Sequence, residues 1–307
     1  MDNFFDFDFP IADIDRVDGK AKVTGKADYA AEHDLPGLTY GVLVGSTITK
    51  GTIKALDTKA AEKAPGVLAV ITHRNAPKIP GYDEGKNPAK GPTRGGGLKI
   101  FNDNVIHFNG QPIALVVADT FERATYAASL VKAQYDKEPP QTSLEEAIRT
   151  GKPVEGDNYK VAVRGEKDAL KNAPVKVEGT YTMPIQVHNP MELHATVARW
   201  DGEEKLTVWE KTQGVVSTQK SIANAFGLDE KNVQVFAPYV GGGFGSALRT
   251  WPHAIAAVMA AKLLNKPVKL VLTRPQMFML VGYRPEAIQH IAIGANTDGR
   301  ITGMHHE

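Results

Sequence analysis

An α+β fold follows from three features of this 307-residue sequence. Between Asn232 and Thr273 the hydrophobic period changes from two to 3.6 and back, giving strand, glycine turn, helix, strand. Between Val17 and about Tyr135, short strand-like and helix-like runs alternate. From Val175 onward longer β segments dominate and end in a hairpin signal. With 42% hydrophobic residues, the chain is long enough for two domains with separate cores.

The elements can be justified in order. Residues 1–15 alternate Phe and Asp around Pro10 and read as an extended arm laid on another surface. Residues 38–44 and 66–71 are strand-like, with a short helix over 58–63 between them. Residues 79–98 are dense in Gly, Pro and Lys, include Arg94-Gly95-Gly96-Gly97, and run into strand-like Leu98–Phe101, so they read as a surface loop. Pro112–Ala118 has the unbroken apolar character of a buried strand. Asp119-Thr120 caps a helix over 120–132, whose apolar face is Ala124, Ala127, Ala128 and Val131. Residues 137–174 form a linker holding a short helix at 143–149. The division is therefore an arm (1–15), a first domain (16–136), the linker (137–174) and an incomplete second domain (175–307).

In the second domain, strands are predicted over 175–183, 196–200 and 205–210. The next strand is carried by Val233, Val235 and Val240. The helix uses Ile255, Val258, Met259, Leu263 and Leu264 and stops at Asn265-Lys266-Pro267. Residues 287–294 and 301–306 pair across Asn296-Thr297-Asp298-Gly299. The sequence stops inside that last strand, which reads as a fragment or a chain that a companion completes.

Gly241-Gly242-Gly243-Phe244-Gly245 lets backbone N–H groups approach a guest that a Cβ would block, beside a helix N-terminus that favours negative charge. An anionic or strongly polar cofactor is the expected guest. The GxGxxG fingerprint fails, because Ser246 and Leu248 stand where its last glycine belongs, and no Gly-Lys-Ser/Thr follows.

Composition narrows the function further. Net charge is +1 and no run of five Lys/Arg occurs, which disfavours nucleic acid. No apolar stretch approaches the roughly 18 residues of a membrane span. The opening Met1-Asp2-Asn3-Phe4-Phe5-Asp6 has neither a basic segment nor twin arginines, so a cytoplasmic location is expected, or a periplasmic one only if a partner carries the export signal. There is no cysteine, hence no thiolate chemistry and no iron–sulfur cluster held by this chain.

Tyr239-Val240-Gly241-Gly242-Gly243-Phe244-Gly245-Ser246 resembles the segment with which the large subunits of the xanthine dehydrogenase/aldehyde oxidase family, the molybdenum hydroxylases, approach molybdopterin. The resemblance extends to Val187–Thr196, Thr212-Gln213-Gly214, Leu272-Thr273-Arg274 and Gly282-Tyr283-Arg284-Pro285. Arg16–Gly19 and Lys22–Tyr29 look like the opening of the family's α/β hammerhead domain. It implies a hammerhead domain followed by the first part of a mixed α/β molybdopterin-binding domain.

The resemblance also implies roles. Gln213 would donate a hydrogen bond to an oxo ligand of molybdenum, a task that suits a neutral amide. Gly242, Gly243, Phe244 and Gly245 would hold the cofactor, and Phe244, Ala247, Leu248 and Arg284 would line the substrate pocket. Many relatives carry a polar residue where Ala247-Leu248 stands, which argues against a purine, so oxidation of aldehydes, or hydroxylation of N-heterocycles, is expected. Water would supply the inserted oxygen, and the carboxylate base that assists lies, in the family, beyond the region matching residue 307. No catalytic base is therefore expected here, and the chain alone should be inactive. [2Fe–2S] and FAD would sit on partner subunits, and the molybdopterin could be a dinucleotide form. The alternative is a non-catalytic binding or assembly module of the same fold.

His188, Glu192 and His194 have the wrong spacing for a zinc set, and Pro190 prevents a helix that would gather them, so they are read as pocket or cofactor-adjacent loop. Arg274 is expected to buttress the domain through a carboxylate. Trp200, Trp209 and Trp251 are expected in core or interface, and His305 and His306 in strand pairing.

Overall fold

A computed structural model describes residues 15–82, 98–151, 164–166 and 168–307. The expected arm up to residue 14, the Arg94–Gly97 segment and residues 152–163 of the expected linker lie outside the described residues. The chain runs α1 (Gly19–Val23), β1 (Thr39–Gly45), β2 (Gly51–Asp57), α2 (Lys59–Glu62), β3 (Val67–Thr72), β4 (Val105–Ile106), β5 (Pro112–Ala118), α3 (Phe121–Ser129) and β6 (Lys132–Lys137). It continues through α4 (Leu144–Thr150), α5 (Ala169–Asn172), β7 (Val175–Met183), β8 (Ala195–Asp201), β9 (Lys205–Glu210), α6 (Val215–Phe226) and β10 (Val233–Phe236). Last come α7 (Pro252–Leu264), β11 (Val268–Val271), α8 (Arg274–Leu280), β12 (Ala287–Ala295) and β13 (Ile301–His306).

A seven-stranded mixed sheet, in the order β10-β9-β8-β11-β1-β5-β3, carries the main core. It joins strands from both sides of the expected linker, since β1 pairs parallel with β11 through Thr39↔Val268 and Gly41↔Leu270. Gly41 matters at this seam, because a Cβ there would already sit 3.1 Å from Leu115. β5 is buried along its whole length between β1 and β3, which explains its unbroken apolar sequence.

The strand–turn–helix–strand unit of the second domain forms, with an insertion: the β8–β9 hairpin lies between β10 and β11. α7 packs over β8 and β11 with every residue from Pro252 to Ala261 buried, and its alanines permit close approach to the sheet. It ends at Asn265 in the left-handed conformation, φ 48°, ahead of Pro267. α3 is capped by Thr120, whose hydroxyl accepts from the Arg123 N–H at 3.3 Å, and it buries Ala124 and Ala127.

Several expectations need correction. Val240 lies outside β10, which ends at Phe236 ahead of Pro238. Leu98–Phe101 is no strand but a turn, with Phe101 at φ 56°. The helix after Thr120 stops at Ser129, and Lys132 begins β6, part of a separate sheet β4-β2-β6 that periodicity does not reveal. α6 was not anticipated either, because it has no side-chain cap at Gly214 and opens with two valines. Its buried stripe of Thr218, Ile222 and Phe226, followed by left-handed Gly227, is the signal that could have found it. The C-terminal hairpin forms as predicted, and β7 pairs with β12 on its other side.

Candidate functional site

Between β10 and α7 the chain loops over the end of β9. The glycine loop is not joined directly to the helix: a 3₁₀ turn at Ser246–Leu248 and extended Arg249–Trp251 separate Gly245 from Pro252. The expected helix-dipole contribution is therefore displaced from the loop. What the loop offers instead is its own backbone. Gly242 and Gly245 have φ of 91° and 97°, and Phe244 takes a left-handed φ of 53°, unusual for an aromatic residue. Among the described residues, the N–H groups of Gly242, Gly243 and Phe244 donate no hydrogen bond. Three successive free donors form a cradle for an anionic or oxygen-rich group.

The neighbours fix this cradle at close range. Gly243 packs so tightly on Gln213 that a Cβ would fall 2.3 Å from its Oε1. That same Oε1 accepts from the Gly245 N–H at 3.1 Å, and the Gln213 N–H donates to the Ala247 carbonyl at 2.8 Å. The Gln213 amide group is thus anchored by its oxygen, leaving its NH₂ to donate outward. Thr212 also donates to the Ala247 carbonyl, at 3.2 Å. Beneath the loop, the Ser246 N–H and hydroxyl both donate to the Gly243 carbonyl, at 2.9 and 2.8 Å.

Trp251, expected only as core or interface, braces the site. Its indole N–H donates to the Ser246 carbonyl, and its ring covers Gly282, where a Cβ would meet Cη2 at 2.7 Å. Gly282 leads into Arg284, which is paired through its backbone to Gln186 at 2.8 and 3.1 Å. His188 follows two residues after that isolated bridge, and its Nε2 lies 3.7 Å from where a Gly245 Cβ would be. Burial and the nearby Arg284 charge push the His188 pKa down, favouring its neutral form. Gln213 and the Gly242–Gly245 loop are thus in contact from two separate segments, while Arg284 is linked to them only through Gln186 and His188.

Their exposures differ. Phe244 and Leu248 are 63% and 46% exposed and face outward, whereas Ala247 is fully buried and supports the loop from behind. Arg274 buttresses as expected but through different partners: its guanidinium donates to Asn189 Oδ1 at 2.9 Å and to the carbonyls of Pro190 and Met191 rather than to a carboxylate. It thereby holds the turn where Asn189 adopts φ 40°.

Sequence reasoning singled out Glu192 and His194 as pocket or cofactor-adjacent loop but missed Lys211, Glu210 and His253, which join them in an ionisable cluster behind the loop. Glu192 accepts from the Gly241 N–H at 2.7 Å and returns its own N–H to the Gly241 carbonyl at 3.1 Å. Burial raises the Glu192 pKa, while the Gly241 N–H and Lys211 pull it down. Lys211 is 1% exposed and its Nζ has no hydrogen-bond partner; burial lowers its pKa to about 8. His194 and His253 are fully buried with rings 5.8 Å apart, and burial, reinforced by His253 and Lys211, drives the His194 pKa to about 2. Glu210 accepts from Thr196 and lies 3.5 Å from His253. Among the described residues, no group of three or more His, Asp or Glu is arranged to hold a metal, and no helix is long and apolar enough to cross a membrane.

Residues 24–139 match the aldehyde oxidase and xanthine dehydrogenase a/b hammerhead domain, and residues 151–307 match the molybdopterin cofactor-binding domain. The chain is 42% identical over 299 residues to the aldehyde oxidoreductase molybdenum-binding subunit PaoC of Escherichia coli K12, covering 95% of this chain and 39% of that protein. The fold superposes on CO dehydrogenase from Oligotropha carboxidovorans with a TM-score of 0.79 at 25% identity, covering 95% of this chain and 38% of that one. It also superposes on the aldehyde oxidoreductase of Desulfovibrio gigas with a TM-score of 0.74 at 26% identity, covering 93% and 33%. The chain thus spans 33–39% of the length of these three proteins. The free N–H cradle, the glutamine against it and these matches lead to one assignment: the chain belongs to the molybdopterin cofactor-binding domain family, preceded by the family's hammerhead domain.

Proposed function

We propose that this chain forms part of the molybdenum-binding subunit of an oxidoreductase that converts aldehydes to carboxylic acids. The observation that carries the reading is the row of unpartnered N–H groups at Gly242, Gly243 and Phe244 set against the anchored amide of Gln213. When bound, molybdopterin supplies the redox-active metal that accepts two electrons per turnover. In the overall reaction an aldehyde and water give the acid, two electrons and two protons.

The chain's residues have distinct tasks in this reading. The N–H cradle would hold the cofactor's electron-rich groups, and the Gln213 NH₂ would donate a hydrogen bond toward the cofactor without competing as a metal ligand. Phe244 forms an aromatic wall, and exposed Leu248 gives the pocket an apolar side that offers purine nitrogens no polar partner. Arg284, whose charge acts on His188 beside the loop, would orient a polarised substrate oxygen. The proton acceptor comes from the larger subunit beyond residue 307. This chain has no cysteine, so the [2Fe–2S] clusters that take the electrons would be held outside residues 1–307; we place them, with FAD, on partner subunits in the cytoplasm.

The test is elemental and kinetic analysis of the purified complex made in cells with an intact cofactor pathway. About one molybdenum per complex is expected, with aromatic aldehydes oxidised faster than xanthine. Gln213→Ala should lower kcat per bound molybdenum at least tenfold. Absence of molybdenum would refute the cofactor assignment, and a preference for xanthine would refute the substrate class.

A further inference from the structure

We infer that Lys211 and Glu192 act as a buried pair of positioning residues, Glu192 latching the entry of the glycine loop at Gly241 and Lys211 serving as its counter-ion. The inference deepens the proposed function, since the loop that the pair sets is the one read as the cofactor cradle.

Four observations support it. Glu192 grips Gly241 on both sides, through its carboxylate and its own backbone, and the fit is tight enough that a Cβ on Gly241 would lie 2.7 Å from the Glu192 Cβ. Glu192 therefore sets where the loop begins. Its second oxygen, Oε1, and the Lys211 Nζ are both buried without a hydrogen-bond partner, and no direct salt bridge joins them. Besides Gly241, the Ala30 backbone N–H also favours the Glu192 carboxylate, so Lys211 would act on Glu192 as a charge through the low-dielectric interior. Each is the other's strongest charged neighbour. The other nearby carboxylate, Glu210, already accepts from the Thr196 hydroxyl, which favours Glu192 as the partner of Lys211.

Lys211 also stands two residues before Gln213, at the end of β9, while Glu192 belongs to the segment before β8. The pair thus links the segment that presents the amide to the segment that presents the N–H cradle. A charge pair that served only to fill the core would have no reason to join these two segments.

The experiment is a double-substitution cycle in the full complex. Lys211→Met and Glu192→Gln each break the charge balance, whereas the double variant is neutral and retains an amide oxygen to accept from the Gly241 N–H. Two readouts are taken: molybdenum and pterin retained after extended dialysis, and amide hydrogen exchange of the 239–246 peptide in complex prepared without cofactor. Each single substitution should lower retention about fivefold and speed exchange about tenfold, and the double should return both to within about twofold of the parent. A double variant no better than the worse single would overturn the pairing, as would unchanged exchange in both singles. Should a single variant fail to fold, Glu192→Asp, which keeps the charge but withdraws it from Gly241, should still speed exchange; parent-like exchange would overturn the latch. If the parent complex holds no molybdenum yet the exchange pattern appears, the cofactor reading fails and the pair stands.

Discussion

Toward one end of the seven-stranded sheet, β1, β3, β5 and their flanks bury apolar side chains and a few neutral polar ones, each with a partner. Thr39 donates to the Pro267 carbonyl, Ser46 to those of Ile48 and Phe108, Thr72 to Asn75, and Gln111 to the Val105 carbonyl. Toward the other end, β8, β9 and α7 bury Glu210, Lys211, His194 and His253, several of whose polar atoms have no hydrogen-bond partner. Burying ionisable groups costs stability that a wholly apolar interior would keep. The cost falls where the glycine loop rests. One sheet thus has a scaffold end whose buried polar side chains are neutral and an equally buried site end that also encloses ionisable groups beside the glycine loop.

Substitutions can break or sharpen this contrast. The largest effect belongs to the scaffold: Leu115→Ala, at a fully buried position of β5, should cost about 2–5 kcal/mol in urea denaturation. A loss below about 1 kcal/mol would show that the scaffold end is loosely packed. The next effect belongs to the site end and depends on pH. The folded pKa of His194 is depressed to about 2, below its ordinary value of 6.5, so between these values the unfolded chain takes up the proton that the folded chain refuses. Stability is therefore full above pH 6.5 and falls as pH drops, by up to about 1.4 kcal/mol per unit. Urea denaturation from pH 7 to 5 should show a decline that His194→Gln flattens; an equal decline in both proteins would remove His194 as its source.

Smaller effects separate the two ends by what they damage. Thr120→Ala removes the cap of α3 and should cost about 1 kcal/mol while leaving molybdenum content unchanged. Gly243→Ala meets the end of a flexible side chain, Gln213, and should cost under about 1 kcal/mol of stability, because that side chain can swing away. Yet it should reduce molybdenum content severalfold, since moving Gln213 disturbs both the cradle and its amide. Equal loss of cofactor in the two variants would erase the distinction between scaffold and site.

How much of this was legible depended on how local the determinant was. The limits of β5, β7 and β9 follow from residues that alternate or run apolar within the segment, and they agree with the structure from end to end. The hairpin at Asn296–Gly299, the buried helix α7 and the glycine loop were legible for the same reason. The resemblance brought Gln213 to the loop before any distance was known.

Hydrophobic pattern and turn chemistry thus determined which segments become strands, helices and a ligand-facing loop, because those choices depend on neighbours a few residues away. Only the tertiary structure decided that β1 pairs with β11, with Thr39 bonded to Pro267 across 228 positions of sequence, since strand edges carry no address that a single segment reveals. It likewise decided that Trp251 braces Ser246 and Gly282, that Ala247 lies behind the loop, and that Lys211 is buried opposite Glu192. A lysine ordinarily reads as surface, because burying its charge is costly. Only long-range packing that brings a carboxylate from another segment into the same interior can offset that cost, and the order of residues along the chain does not show it.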